Sequence, residues 1–191
     1  DGTDAVNINT ASSIQGDLSI TSETTDLGAG FTAGGDQTYN SAVNLSSDVT
    51  VTGTNVNFDQ TIDGAQALTV NASGSTVFNG TVGGSSPLSS VTTDATGSIT
   101  TNADITTTGE QSYGDDLTLG ADVRLSAGDT DSDGEGVDFG GTVTGAGNNL
   151  TISGGAGFAG AVNGVGALVT DTLDSESTIG ADSINVKGTS E

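Results

Sequence analysis

"GDQTYNSAVNLSSDVTVT" occupies residues 35 to 52, and "GEQSYGDDLTLGADVRLS" occupies residues 109 to 126. Laid one over the other at a shift of 74 positions, they match Gly35 to Gly109, Gln37 to Gln111, Tyr39 to Tyr113 and Asp48 to Asp122. Where identity fails the apolar positions still coincide: Val43 with Leu117, Leu45 with Leu119, Val49 with Val123, and Val51 with Leu125. A period of this length is the mark of a repeat architecture.

The register continues outward. "VNFDQTIDGAQALTV" (56 to 70) lies over "VDFGGTVTGAGNNLTI" (137 to 152), pairing Phe58 with Phe139, and further on Phe78 falls on Phe158 and Val82 on Val162. This defines two copies, 35–108 and 109–188, within one elongated unit over 14–191. Residues 1–13 stand apart, and "DAVNINT" (4 to 10) is a candidate capping strand or a strand to be donated to a neighbour. The chain opens on Asp and both ends fall in mid-pattern, which reads as a processed chain or a piece of a longer one.

Val43-x-Leu45, Val49-x-Val51, Val56-x-Phe58, Leu68-x-Val70 and Leu117-x-Leu119 alternate with period two, as half-buried strands do. A disordered chain has no reason to keep that alternation, although low aromatic content and high charge would suit one. The strands are short, and Asp63-Gly64, Asn79-Gly80 and Asn163-Gly164 are turn signals between them. Dividing the repeat by four leaves about 18 to 19 residues per coil, the size of one turn of a parallel β-helix. The expectation is an all-β solenoid of roughly ten turns stacked at about 4.8 Å, a rod on the order of 50 Å. Tandem β-sandwich domains of about 75 residues are the alternative.

The phrases "GDQTYNSAVNL", "DGAQALTVNASGSTVFNGTVGG", "LSSVTTDATGSI" and "TTTGEQSYGDDLTLGADV" resemble the repeats of large bacterial surface proteins of the filamentous-haemagglutinin and autotransporter-adhesin type. The likeness runs over roughly residues 14 to 191. It implies a secreted β-solenoid stalk or filament that serves attachment, and it carries over no catalytic residue.

Charge narrows the partners. Two basic residues, Arg124 and Lys187, stand against 25 acidic ones, a net charge of −23 that repels nucleic-acid phosphates and anionic membranes. No apolar run approaches the roughly 18 residues of a membrane-spanning helix. Cysteine is absent, so no disulfide braces the fold. An acidic chain of this kind suits a cation-rich extracellular medium.

The copies differ most between their second and third strands. Thr52 to Val56 encloses three residues, whereas Ser126 to Val137 encloses ten, "AGDTDSDGEG". Alternate aspartates followed by glycine match the first half of a calcium loop, in which hard carboxylate oxygens surround the ion. Asp129, Asp131 and Asp133 would give side-chain oxygens and Glu135 its backbone carbonyl. Gly140 stands where a bidentate Glu is usual, and Asp138 is the substitute on offer. The plain alternative is a solvated acidic loop.

Other chemistry is thin. The remaining carboxylates are spread singly, with Asp115-Asp116 the one adjacent pair, and the chain has no histidine. Acid pairs cleave glycosides in some β-helices, but only Arg124 and Lys187 are there to steady an anion, so no enzyme is expected. Thr50-Val51-Thr52 and Thr106-Thr107-Thr108 are fragments of an ice-binding array that does not recur at coil spacing. Four Asn-x-Ser/Thr sequons are what chance supplies in such a composition. Tyr39 and Tyr113 are expected to fill the core. Two functional readings stand: a rigid stalk or self-assembling fibre, pairing end to end or with neighbouring repeats of a longer chain, and a glycan- or cell-binding module with a calcium-stabilised loop.

Overall fold

The structure is a computed structural model that describes residues 4–128, 135–175 and 178–187, and among them there is no helix. Every pairing between named strands is parallel. Tandem sandwiches need antiparallel neighbours, so that alternative falls. The chain is a β-solenoid of about nine turns, each about 19 residues.

Three strand positions make a turn. The first turn is β1 (Ala5–Ile8), β2 (Ser12–Ile14) and β3 (Leu18–Ile20). The next three are β4 (Thr24–Leu27), β5 (Phe31–Ala33), β6 (Gln37–Tyr39); β7 (Ala42–Leu45), β8 (Val49–Gly53), β9 (Val56–Phe58); and β10 (Ile62–Asp63), β11 (Ala67–Ala72), β12 (Ser75–Phe78). The fifth opens on a single-residue bridge at Val82, followed by β13 (Ser90–Thr93) and β14 (Ser98–Thr101). The sixth and seventh are β15 (Ile105–Thr106), β16 (Gln111–Tyr113), β17 (Asp116–Leu119), then β18 (Val123–Ser126), β19 (Val137–Phe139), β20 (Val143–Thr144). Beyond β21 (Leu150–Ser153) and β22 (Gly155–Phe158), β23 (Val162–Thr170) runs round a corner and serves two faces. Then come β24 (Thr172–Ser175) and β25 (Ile179–Val186), which pairs with β23 on both sides of that corner. Residues 4–13 belong to the first turn: β1 and β2 pair with β4 and β5 of the same chain.

Alternation decides which side chains enter the rod. On the first face, one column of partners runs from Val6 through Thr25, Val43, Ile62, Val82, Ile105 and Leu125 to Ile152. From Thr25 onward all of them are buried. Branched aliphatics suit such a stack because each fills the pleat directly above its neighbour.

The aromatic residues reveal how the sequence repeat maps onto the coil. Tyr39, Phe58 and Phe78 stack on the third face, with ring centroids 4.9 and 5.6 Å apart. Their counterparts Tyr113, Phe139 and Phe158 stack on the second face, at 5.5 and 4.7 Å. Counting the Val82 bridge, β16 comes eleven strand positions after β6, one short of four full turns. The repeat is therefore three and two-thirds turns, not four, and the second copy is rotated by a third of a turn against the first.

Corners are fastened by carboxylates and amides. Asp17 Oδ1 accepts the Asp36 N–H at 2.9 Å, Asp36 Oδ1 accepts the Asn55 N–H at 3.2 Å, and Asn55 Oδ1 accepts the Ser75 N–H at 2.9 Å. Asp48, Asp104, Asp116 and Asp122 take the amides of Ala67, Arg124, Thr142 and Asn149 in the same way. Where the coil bends, strand hydrogen bonding lapses, and an ionised acceptor satisfies the orphan N–H of the adjacent turn. Much of the acidic composition is thus spent on joining turns.

Candidate functional site

On the second face, outward-pointing residues of successive turns form a column of partners: Thr50, Thr69, Thr92, Ser112, Asp138, Gly157 and Asp174. Thr32, Thr52 and Asn71 line up beside its start. Single hydroxyl residues therefore recur at coil spacing over these turns, whereas the Thr-x-Thr pair itself does not, since Thr50-x-Thr52 lies on Thr69-x-Asn71. The row ends at Asp138, which makes it too short and too mixed to act as a lattice-matching array.

Where the hydroxyls stop, the carboxylates begin. A groove of about 300 Å³ opens there, lined by Ser112, Gly114, Glu135, Asp138, Gly157 and Asp174, with the Tyr113–Phe139–Phe158 stack behind it. Glu135 leads out of the insertion into β19, and Asp138 sits at the middle of β19. Their carboxylates both lean over Gly157: a Cβ placed there would lie 2.8 Å from Asp138 Oδ1 and hard against the Glu135 carboxylate. The bare glycine keeps the groove open between Asp138 and Asp174, its partners on either side.

Of the five residues expected at a calcium site, Asp129, Asp131 and Asp133 lie outside the described residues. Glu135 and Asp138 are brought together at the groove, where Glu135 places its side-chain carboxylate. Asp174 joins them from two turns away, a residue that sequence reading missed. The signal was there: Asp138 and Asp174 are separated by two coil lengths. Among the described residues no group of three or more carboxylate, imidazole or thiol side chains is arranged to hold a metal ion. Glu135 and Asp138 fit hard-cation chemistry in kind, but these two do not by themselves form a coordination shell.

The two cations of the chain point elsewhere. Arg124 Nη2 donates to Ser153 Oγ at 2.6 Å, and Lys187 Nζ lies 3.3 Å from Asp171 Oδ1 on the surface. The Gly154 N–H, together with Lys187, holds the Asp171 carboxyl below its ordinary value.

A second acidic position is inside the rod. Asp115, between β16 and β17, is only 3% exposed, and neither carboxylate oxygen has a hydrogen-bond partner. Burial, reinforced by Asp94 and Asp116, pushes its pKa up to about 6. The first copy shows what is missing. There the equivalent residue is Ser41, whose hydroxyl bonds the Thr25 hydroxyl of the turn before. Eleven strand positions beyond Thr25 stands Ile99, which offers Asp115 nothing.

Tyr39 and Tyr113 are both fully buried, as the sequence suggested. Their partners were not foreseen. Each phenol donates to a buried glutamine, Gln37 or Gln111, at 2.8 Å, and that glutamine's amide reaches main-chain carbonyls at a corner: Thr52 O at 2.6 Å, and Ser126 O at 3.0 Å.

No protein-family model, curated protein or solved structure matches the chain.

Proposed function

We propose that the protein is a rigid, non-catalytic segment of an extracellular filament or cell-surface adhesin, a stalk that holds apart whatever is joined to its ends. The observation that carries this reading is the unbroken inward column from Val6 to Ile152, with corner acceptors tying turn to turn around it. Across the described residues, bending such a rod opens ladder bonds and core contacts together. About nine turns at roughly 4.8 Å make a core on the order of 45 Å long.

Two further features support it. Neither Arg124 nor Lys187 lines the acidic groove, so the groove lacks the cation that would steady an anionic substrate or transition state. The net charge of −23 suits a medium rich in counterions. Small-angle scattering of the purified chain tests the reading: an elongated cross-section is expected, and a globular profile would sink it.

A second reading, a glycan- or cell-binding module with a calcium-stabilised loop, draws on the groove at Glu135, Asp138 and Asp174. A glycan array combined with calcium titration separates the two. Hits that vanish with chelator favour the module, and a blank array with calorimetrically silent calcium favours the stalk.

A further inference from the structure

Two asparagines of the chain precede a glycine, Asn79 before Gly80 and Asn163 before Gly164, and both asparagines are exposed. In such a pair the glycine main-chain nitrogen is placed to close a five-membered ring on the asparagine side-chain carbonyl, and with no Cβ the glycine does not hinder the approach. The surroundings of the two pairs differ. Asn79 is clamped: its Nδ2 donates to Asn57 Oδ1 at 3.2 Å and to Asp59 Oδ1 at 2.9 Å, and its Oδ1 accepts from Asn102 Nδ2 at 2.7 Å. Gly80 is packed on the turn before it, where a Cβ would press on the main chain of Gln60 and Thr61. Ring closure there must break the hydrogen bonds of the carboxamide and push one main chain into another.

Asn163 has neither restraint. Among the described residues its side chain makes no hydrogen bond. It lies in β23 where the pairing with β25 slips: Val162 is opposite Ile179 and Val165 opposite Ala181, so Asn163 and Gly164 together face the single residue Gly180. Gly164 is in the left-handed region, at φ +60°, and a Cβ placed on it would meet nothing closer than Ala146 N, at 3.8 Å. On the other side Gly145 and Gly147 donate to the Asn163 and Gly164 carbonyls at 2.8 and 2.7 Å, bonds that involve neither the carboxamide nor the Gly164 nitrogen.

We propose that Asn163 is a site of spontaneous deamidation in the folded protein, while the clamp on Asn79 protects the other pair. The Gly164 nitrogen gives its proton to solvent base and attacks the Asn163 side-chain carbon Cγ. A bond forms between that nitrogen and Cγ, the Cγ–Nδ2 bond breaks, and Nδ2 leaves as ammonia with a proton from solvent. Water then opens the five-membered imide. Addition at Cγ restores the original main chain with an aspartate at 163, and addition at the main-chain carbonyl carbon leaves an isoaspartyl linkage, in which the chain runs through Cγ. Either product has exchanged an amide for a carboxylate and adds one negative charge to a chain already at −23. The isoaspartyl product also lengthens the backbone by one carbon inside the bulge. Because the attacking nitrogen must first lose its proton, the reaction quickens as pH rises.

The test incubates the whole chain at mildly alkaline pH, once folded and once in guanidinium chloride. Digestion in acid, where the reaction stops, is followed by mass spectrometry of the peptides that hold Asn79 and Asn163, with electron-transfer fragmentation to place the mass gain and separate aspartate from isoaspartate. In the folded chain Asn163 should convert at least about tenfold faster than Asn79, whose carboxamide hydrogen bonds must break first. In denaturant, where only the local sequence acts, the two rates should become comparable. Asn163→Gln, which would need a larger ring, should lose the mass gain at that position. A folded chain that keeps Asn163 intact while the denatured chain converts overturns the proposal. So does equal conversion of Asn79 and Asn163 in the folded chain, or an undiminished mass gain at position 163 in Asn163→Gln.

Discussion

Tyr39 and Tyr113 hold the same place in the sequence repeat, lie on different faces of the rod, and make the same bond, each hydroxyl donating at 2.8 Å to the glutamine two residues before it. The surroundings travel with the residues through a rotation of a third of a turn. Burial pushes both phenols well above their ordinary pKa, so they remain donors at any pH the fold survives.

Removing that donor leaves a buried acceptor alone. Tyr113→Phe keeps the ring stack on Phe139 but strands Gln111 Oε1, at an expected cost of about 1–3 kcal/mol. Gln111→Leu strands the phenol and takes one of two donors from the Ser126 carbonyl, which keeps the Thr107 N–H, and should cost about as much. Urea unfolding reads both, and a loss below about 0.5 kcal/mol in each would contradict this account.

Asp115 makes stability depend on pH in an unusual direction. Its folded pKa, about 6, lies above the ordinary 3.8, so the folded state holds the proton over a window where the unfolded chain releases it. Its contribution therefore falls as pH rises from about 4 to 6 and stays low above that. Asp115→Ala is expected to stabilise the protein at pH 7 by about 1–3 kcal/mol, the usual cost of a buried unpaired polar group, and much less at pH 4. Denaturation of the two proteins at both pH values tests it, and a pH-independent difference would refute it. Asp171 acts in the opposite sense: its lowered pKa gives stability that is present above the ordinary value and lost as acid protonates it.

Two glycines should respond differently to alanine. At Gly64, φ is +126° and a Cβ would press on the backbone of Leu45, so Gly64→Ala is expected to cost about 1–3 kcal/mol. At Gly157 the obstacles are the ends of the Glu135 and Asp138 side chains, which can swing away. Gly157→Ala should leave the midpoint of thermal unfolding nearly unchanged while displacing those carboxylates from the groove. Equal destabilisation by both would show that the groove is as rigid as the corner.

The corner acceptors can be checked one amide at a time. Asp36→Ala removes the acceptor of the Asn55 N–H and of its side-chain amide. Hydrogen exchange at Asn55 should accelerate at least tenfold, with the amides of β11, on another face, unaffected. Uniform acceleration would mean that Asp36 supports the whole rod and not one corner.

The alternation Val43-x-Leu45, Val49-x-Val51 and Val56-x-Phe58 was enough to specify short strands with one buried side, and their shortness favoured a coil, while only the parallel pairing removed the sandwich. Alternation and shortness are local properties, since a side chain's face follows from its parity along the strand. Tyr39 and Tyr113 as core residues followed from their recurrence at equivalent positions of the repeat. What the sequence could not decide was which turn lies on which, because that depends on small differences in corner length accumulated over the whole repeat. Only the tertiary structure showed that one repeat falls a strand short of four turns, that Asp138, Gly157 and Asp174 share a column, and that Asp115 is buried without a hydrogen-bond partner where Ser41 has Thr25. Each of these is a relation between residues a full turn or more apart, set by the register of parallel strands and written in no local pattern.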